Sequence, residues 1–213
     1  MTQSEFQQYK TALQAFQAER IRETYRDIFR MPQYKRLVEF FFEQIYGPRD
    51  FSFRNQGIKT LHQKLSGLLK GEIIDEVGRV IELHDLSDAL DNQMVEKMME
   101  LGIQPPFTLE SYGAVYRSCE NYSQRVYQIN LMVEAIRGIH RLSQMPFIGW
   151  SLRIVRSAAH LAGFGEIMDF LSEGYQAFHS TKNIEYFAQT VAEREHRLND
   201  QLFGNEDVAE TSG

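Results

Sequence analysis

The chain has 213 residues, of which 43% are apolar, and a formal charge of −6. This length and apolar content are enough for one folded domain with a full hydrophobic core. The acidic balance disfavours bulk attraction to DNA, RNA or anionic lipid, whose binders usually carry a basic surplus. We therefore expect neither a nucleic-acid partner nor a membrane partner.

The single cysteine, Cys119, cannot form an intramolecular disulfide, and its position on an apolar stripe predicts a small buried side chain. The first ten residues, MTQSEFQQYK, lack the basic-then-apolar pattern of a signal peptide. No window approaches the ~18 uninterrupted apolar residues of a membrane span. The sequence therefore predicts a cytoplasmic protein.

The N-terminal third predicts three helices. The first spans about Ser4 to Arg30, the second begins at Pro32 and reaches Tyr46, and the third ends near Lys70. The loop after the second helix contains Arg49, Asp50 and Arg54 together with two phenylalanines. This mixture indicates either a recognition loop or an Arg–Asp pair that pins the loop.

A fourth helix is predicted over Glu72 to Leu101, with nine acidic residues against one arginine and one lysine. His84, Asp88 and Asp91 share one of its faces between apolar neighbours, and Glu195 lies on an apolar stripe of the last helix. Helical bundles build metal centres from such inward carboxylates and histidines. These four residues are a candidate metal site, and the alternative is a polar strip at the edge of the core.

A long helix is predicted over residues 108–144, and the rest of the chain is expected to pack around it. Its apolar stripe returns to one face at every third or fourth residue from Tyr112 to His140. Thr108 is the expected N-cap, and Pro146 is expected to end the helix. A straight helix of this length would measure about 55 Å, so we expect a kink or a division near Ser118 to Asn121.

Three further helices are predicted at about 151–162, 166–179 and from Ile184 to Leu202, with a tight apolar corner at 145–150 before them. Residues 204–213 are polar and acidic and are expected to be a disordered tail. No stretch shows the two-residue alternation of a strand. The predicted fold is an all-α bundle of seven or eight helices that forms one domain over residues 1–203.

No acidic residue occurs between Ala135 and Gly165. The basic residues of this stretch are Arg137, His140, Arg141, Arg153, Arg156 and His160. Arginine favours bidentate binding of carboxylate or phosphate, so the six residues are a candidate anion site. The alternative is internal neutralisation by the acidic fourth helix, or a plain solvated surface.

The sequence contains no glycine-rich phosphate loop, no G-x-S-x-G and no C-x-x-C. We therefore expect a non-catalytic binding protein for a small anionic or apolar ligand or for a protein partner. A homodimer formed through helix faces is a further expectation. The alternative is a metal-dependent oxidoreductase or hydrolase of the di-iron bundle type, acting on a small substrate. No cofactor can be assigned from the sequence.

Overall fold

The structure is a computed structural model that describes residues 2–41, 59, 72–161, 163 and 165–205. For residues 155–159 it describes the backbone alone. Within the described ranges every regular element is helical and no strand occurs. The prediction of an all-α fold is confirmed.

The described residues form nine α-helices and one 3-10 turn. These are α1 (Gln3–Thr24), α2 (Arg26–Phe29), the 3-10 turn (Pro32–Tyr34), α3 (Lys35–Phe40), α4 (Glu72–Glu100), α5 (Leu109–Ser118), α6 (Tyr122–Ser143), α7 (Pro146–Leu161), α8 (Gly165–Ser180) and α9 (Ile184–Phe203). Their number exceeds the predicted seven or eight because two predicted helices each divide in two. Apart from residue 59, the predicted third helix lies outside the described residues, as does the predicted tail after residue 205.

The long helix predicted over residues 108–144 divides where the sequence analysis expected it. Thr108 caps α5, because its Oγ1 accepts from the Ser111 backbone N–H at 3.1 Å while Ser111 Oγ accepts from the Thr108 N–H at 3.0 Å. Glu120 then adopts a left-handed backbone with φ of 51°, and α6 begins at Tyr122. The break rotates the predicted stripe, so Tyr122 is exposed while Arg125 is buried.

The chain folds into two compact units, each built from segments that are distant in the sequence. Unit 1 comprises Met1–Thr24, Leu83–Val133 and Gln189–Gly213, and unit 2 comprises Tyr25–Glu82 and Glu134–Ala188. The single domain expected over residues 1–203 stays a prediction.

The core of unit 1 is formed by apolar and aromatic side chains of four helices and of the α4–α5 turn. Its buried members are Leu13, Met94, Val95, Met98, Phe107, Tyr112, Val115, Tyr116 and Leu202. Phe16 packs on Tyr112 with ring centroids 4.9 Å apart, and Tyr116 packs edge-on to Phe203 at 5.1 Å. The aromatic side chains therefore bind α1 and α9 to α5.

The core of unit 2 is an aromatic cluster around α3 and α8. Phe40 packs against Phe170 with ring centroids 5.3 Å apart and meets Phe178 edge-on at 6.4 Å. Tyr34 packs near Phe187 at 5.7 Å, and its hydroxyl donates to the backbone carbonyl of Asn183 at 3.1 Å. These contacts hold α8 in place, and α8 in turn supports α7, the helix that precedes it.

That helix, α7, begins at Pro146, five residues before the predicted start. Proline fits the first turn of a helix, because its missing N–H would have no helical partner there and its φ is already helical. The predicted apolar corner at 145–150 is therefore largely the first turn of α7. As a consequence, Phe147 and Trp150 belong to a helix face.

Candidate interaction surface

Two arginines of the candidate anion site are held by carboxylates within unit 2. Arg137 binds Glu185 with two hydrogen bonds of 2.9 and 2.5 Å. Arg141 donates to Glu72 at 3.0 Å and to Glu76 at 2.8 Å, both on the acidic helix α4. The internal neutralisation offered as the alternative reading is therefore present at Arg141, and Arg137 is neutralised by α9 instead.

Glu76 is buried, and it also accepts from Arg79 Nη1 at 2.9 and 2.8 Å. Gly138 of α6 gives this carboxylate its room, because a Cβ at position 138 would lie 1.8 Å from Glu76 Oε2. A buried carboxylate is stable only when charges and hydrogen bonds compensate its desolvation, and two guanidinium groups supply both. Glu76, Arg79 and Arg141 thus form a structural cluster.

Three of the other four residues of the candidate anion site have described side chains, and each of these has a separate partner of its own. His140 Nδ1 lies 3.2 Å from the carbonyl oxygen of Phe178, and His160 Nε2 lies 3.2 Å from Asp169 Oδ1. Arg153 is exposed, and its Nε donates to the Gly149 carbonyl at 3.3 Å. The side chain of Arg156 lies outside the described part of the chain. Binding of an anion by these residues stays a prediction.

The candidate metal residues lie in unit 1, and each of their carboxylates has a protein partner. Asp88 accepts from Lys10 Nζ at 2.5 Å, Asp91 accepts from Gln17 Nε2 at 2.9 Å, and Glu195 binds Arg20 at 3.1 Å. His84 is exposed. Among the residues with described side chains, no group of three His, Cys, Asp or Glu is close enough to hold a metal ion.

The candidate recognition loop with Arg49, Asp50 and Arg54 lies outside the described residues. Its role stays a prediction.

Unit 1 contains a buried polar cluster that the sequence analysis missed. Arg125 donates to Gln128 Oε1 at 3.2 Å and to the Leu90 carbonyl at 3.4 Å, and its guanidinium lies 4.6 Å from the centroid of the Tyr116 ring. Tyr116 donates its hydroxyl to Asn199 Oδ1 at 2.9 Å. Burial raises the pKa of Tyr116, which keeps this hydroxyl a donor. These side chains tie α6 to α4 and α5 to α9 within the unit.

A shallow cleft of about 500 Å³ lies over the break between α5 and α6 in unit 1. Cys119 lines it together with Lys97, three glutamates and several neutral polar residues. Burial raises the pKa of the Cys119 thiol, so the thiol is a poor nucleophile at neutral pH. The cleft offers a polar surface without an activated group.

Among the described side chains of unit 2, a row of large apolar residues lies exposed on α7 and is here named the α7 apolar stripe. Its members are Phe147, Trp150, Ile154 and Leu161, with exposed fractions of 52, 63, 56 and 92%. Their spacings of three, four and seven residues place them on one face of the helix. Large apolar side chains that are exposed singly are ordinary, whereas four of them on one helix face form a candidate interaction surface.

A different face of α7, about a third of a turn around the helix from the stripe, packs against α8. Gly149 permits the close approach, because a Cβ there would lie 2.4 Å from the hydroxyl oxygen of Tyr175. Near the other end of α7, His160 contacts Asp169 and closely approaches Gly165. The two contacts show that α8 runs antiparallel to α7. The α7 apolar stripe thus lies on a helix that is anchored to α8 near both of its ends.

Charged side chains flank the α7 apolar stripe. Arg153 is exposed on α7, and Glu166, Asp169 and Glu173 follow one another on α8 at spacings of three and four. Such spacings place the three carboxylates on one face of α8. The α7–α8 pair therefore presents an apolar stripe with positive charge on one helix and an acidic row on the next.

No helix in the described parts of the chain is long and apolar enough to cross a membrane. Comparison with curated proteins and with solved structures gives no match. A family model described as "Domain of unknown function (DUF8198)" matches residues 1–209. Because this match covers nearly all of the 213 residues, the chain belongs to the DUF8198 family.

Proposed function

We propose that this chain is a cytoplasmic, non-catalytic binding protein that docks a protein partner on the α7 apolar stripe. The observation that carries the proposal is the exposure of Phe147, Trp150, Ile154 and Leu161 on one face of an anchored helix. Burying such side chains at an interface gains about 25 cal/mol per Å² of apolar area, and aromatic residues are enriched at the centres of interfaces.

The ion pairs that the basic residues already make favour a protein partner over a small anion. Arg137, Arg141 and His160 each have a carboxylate neighbour, so an anion would compete with these existing contacts. The metal-dependent enzyme is the weaker alternative, because Asp88, Asp91 and Glu195 each have a protein partner of their own.

Trp150 allows a direct test, because it is the single tryptophan of the chain and lies on the stripe. Partner capture would be compared between the native chain, Trp150→Ser, and the control Tyr127→Ser. Tyr127 is a half-exposed aromatic residue on α6 in unit 1, away from α7 in the chain. We expect Trp150→Ser to lose the partner and Tyr127→Ser to keep it.

The captured partner would then be purified and titrated against the native chain. Docking on the stripe should move Trp150 emission towards shorter wavelengths and protect it from a soluble quencher, because the indole leaves water. Equal capture by native chain and Trp150→Ser, with unchanged Trp150 emission on binding, would refute the proposal.

A further inference from the structure

We propose that unit 1 contains a buried binding site for the carboxylate group of a small ligand, formed by Arg125 of α6 and Asn199 of α9 around Tyr116 of α5. The site goes beyond the proposed function, because it lies in unit 1 and shares no residue with the α7 apolar stripe. Two observations support it: buried N–H groups that are open to an acceptor, and a buried positive charge with neutral hydrogen-bond partners.

Arg125 and Asn199 each have a buried nitrogen that makes no hydrogen bond to the described residues. Arg125 is 4% exposed and Asn199 1%, and the two nitrogens are Arg125 Nε and Asn199 Nδ2. In native proteins roughly 90% or more of buried polar groups are paired, because an unpaired donor has given up its hydrogen bonds to water. The two nitrogens are therefore available to an acceptor from outside the chain.

Tyr116 places both donors beside one aromatic ring. The central carbon of the Arg125 guanidinium lies 4.6 Å from the centroid of the Tyr116 ring, and the Tyr116 hydroxyl donates to Asn199 Oδ1 at 2.9 Å. This bond orients the Asn199 amide and leaves its nitrogen free to donate. A carboxylate has two oxygens that accept hydrogen bonds, so one carboxylate group can accept from Arg125 and from Asn199.

The Arg125 guanidinium is a buried positive charge, and its hydrogen-bond partners in the described chain are neutral. Its Nη1 donates to Gln128 Oε1 at 3.2 Å, and its Nη2 donates to the Leu90 carbonyl at 3.4 Å. Asp91 is close enough for its charge to interact with Arg125, but its carboxylate accepts from Gln17 at 2.9 Å. A buried charge is compensated best by an opposite charge that also makes hydrogen bonds. Arg125 therefore favours an anionic carboxylate over a neutral acceptor such as water.

The test is the binding of sodium acetate to the full-length chain. Calorimetry would measure the binding heat, and thermal unfolding would compare acetate with sodium chloride at the same ionic strength. We expect acetate, but not chloride, to raise the unfolding midpoint in a saturable way, because a ligand that binds the folded state stabilises it. Arg125→Gln should abolish both signals, since it removes the charge and keeps a polar side chain.

Asn199→Asp is the second variant, because it builds a carboxylate into the proposed site. It keeps the oxygen that accepts from Tyr116 and replaces the unpaired amide nitrogen by a carboxylate oxygen near Arg125. We expect acetate binding to weaken by at least about tenfold, since the new carboxylate takes the place of the ligand. The unfolding midpoint without acetate should rise at neutral pH, because Arg125 gains a partner within the chain.

The matched control is Asn130→Asp, which makes the same exchange at an exposed residue of α6 in unit 1. It should bind acetate as the native chain does. No binding heat and no acetate-specific stabilisation up to about 100 mM would overturn the inference. Native acetate binding by Asn199→Asp would overturn it as well. If Arg125→Gln does not fold, Asn199→Asp decides alone, because this exchange preserves the size of the side chain.

Discussion

Glu76 and Gly138 depend on each other at the scale of single residues. The carboxylate is 3% exposed, and it is held by Arg79 and Arg141 beside a glycine that has no side chain to displace it. A glycine inside a helix ordinarily costs about 1 kcal/mol relative to alanine. Its presence here is explained by the carboxylate that occupies the space a Cβ would need.

Gly138→Ala should therefore destabilise the protein, although the same change in an open helix would stabilise it. We expect a loss of about 1 to 3 kcal/mol in the free energy of unfolding, because the new methyl group and Glu76 cannot share the site. Denaturant unfolding would measure it. The control is Gly113→Ala in α5, where the nearest atom to a new Cβ is Leu202 Cδ2 at 3.4 Å.

Gly113→Ala should be close to neutral or slightly stabilising. In a Glu76→Ala background the cost of Gly138→Ala should largely disappear, since the obstructing carboxylate is gone. A Gly138→Ala protein as stable as the native one would contradict this account of the cluster.

Asp91 makes the free energy of unfolding fall as pH rises, whereas an ordinary paired carboxylate makes it rise. Burial raises its pKa, and the hydrogen bond from Gln17 and the charge of Arg125 oppose this only in part. The unfolded chain therefore releases the Asp91 proton at a lower pH than the folded chain does. Between these two pKa values the Asp91 contribution to stability falls as pH rises, and it stays low above them.

Asp91→Asn should consequently stabilise the protein at neutral pH, because the amide mimics the protonated acid and keeps an oxygen for Gln17. The gain should vanish below about pH 4, where the side chain is protonated in both states. Thermal unfolding at several pH values would test this. Asp88→Asn, one turn away, loses the ion pair with Lys10 and should bring no gain; a gain in both variants would contradict the assignment to Asp91.

At the scale of elements, the break between α5 and α6 decides which side chains enter the unit 1 core. Glu120 has φ of 51°, a conformation that costs an L-residue roughly 1 to 2 kcal/mol and that glycine adopts freely. Glu120→Gly should therefore be neutral or stabilising by up to about 1 kcal/mol, while Glu120→Val should destabilise.

Glu96→Gly is the matched control for Glu120→Gly, because Glu96 is an exposed residue in the interior of α4. There the same exchange should cost about 1 kcal/mol. The measurement is the difference in the free energy of unfolding, and equal losses at both positions would show that residue 120 is helical in solution.

Local signals in the sequence predicted the elements better than they predicted the sites. Thr108 was predicted as an N-cap because capping acts within a few residues. The division near Ser118 to Asn121 was expected because a straight helix over residues 108–144 would measure about 55 Å. Burial of Arg125 was not predicted, because it depends on how far the left-handed residue at 120 rotates the following helix. The α7 apolar stripe was also missed, because residues 145–150 were interpreted as a corner when Pro146 in fact begins a helix.

At the scale of the whole molecule, the uneven distribution of charge along the sequence is largely balanced by ion pairs within the protein. Arg137 and Arg141 come from the stretch without acidic residues, and both bind glutamates that lie far away in the sequence. The sequence could indicate that carboxylates were present to neutralise these arginines, since the acidic fourth helix was predicted from it. It could not indicate which glutamate each arginine would bind, because that depends on tertiary packing.

The last expectation concerns metal ions and the stability of the whole chain. A metal at His84, Asp88, Asp91 and Glu195 would have to displace Lys10, Gln17 and Arg20 from carboxylates that they already bind. Ligand at 100 times its dissociation constant adds roughly 2.7 kcal/mol to the free energy of unfolding, a gain that thermal unfolding detects readily.

We expect zinc, manganese or ferrous iron to leave the unfolding midpoint of the untagged chain unchanged. Metal binding would require the contacts of Lys10, Gln17 and Arg20 with the carboxylates to break, and this cost would offset the gain from the metal. Asp88→Ala is the informative variant, since it removes one candidate ligand and releases Lys10. A rise in the midpoint on adding one of the metals, lost in Asp88→Ala and kept in Glu193→Ala on the exposed side of α9, would instead favour the metal-dependent alternative over a purely binding role.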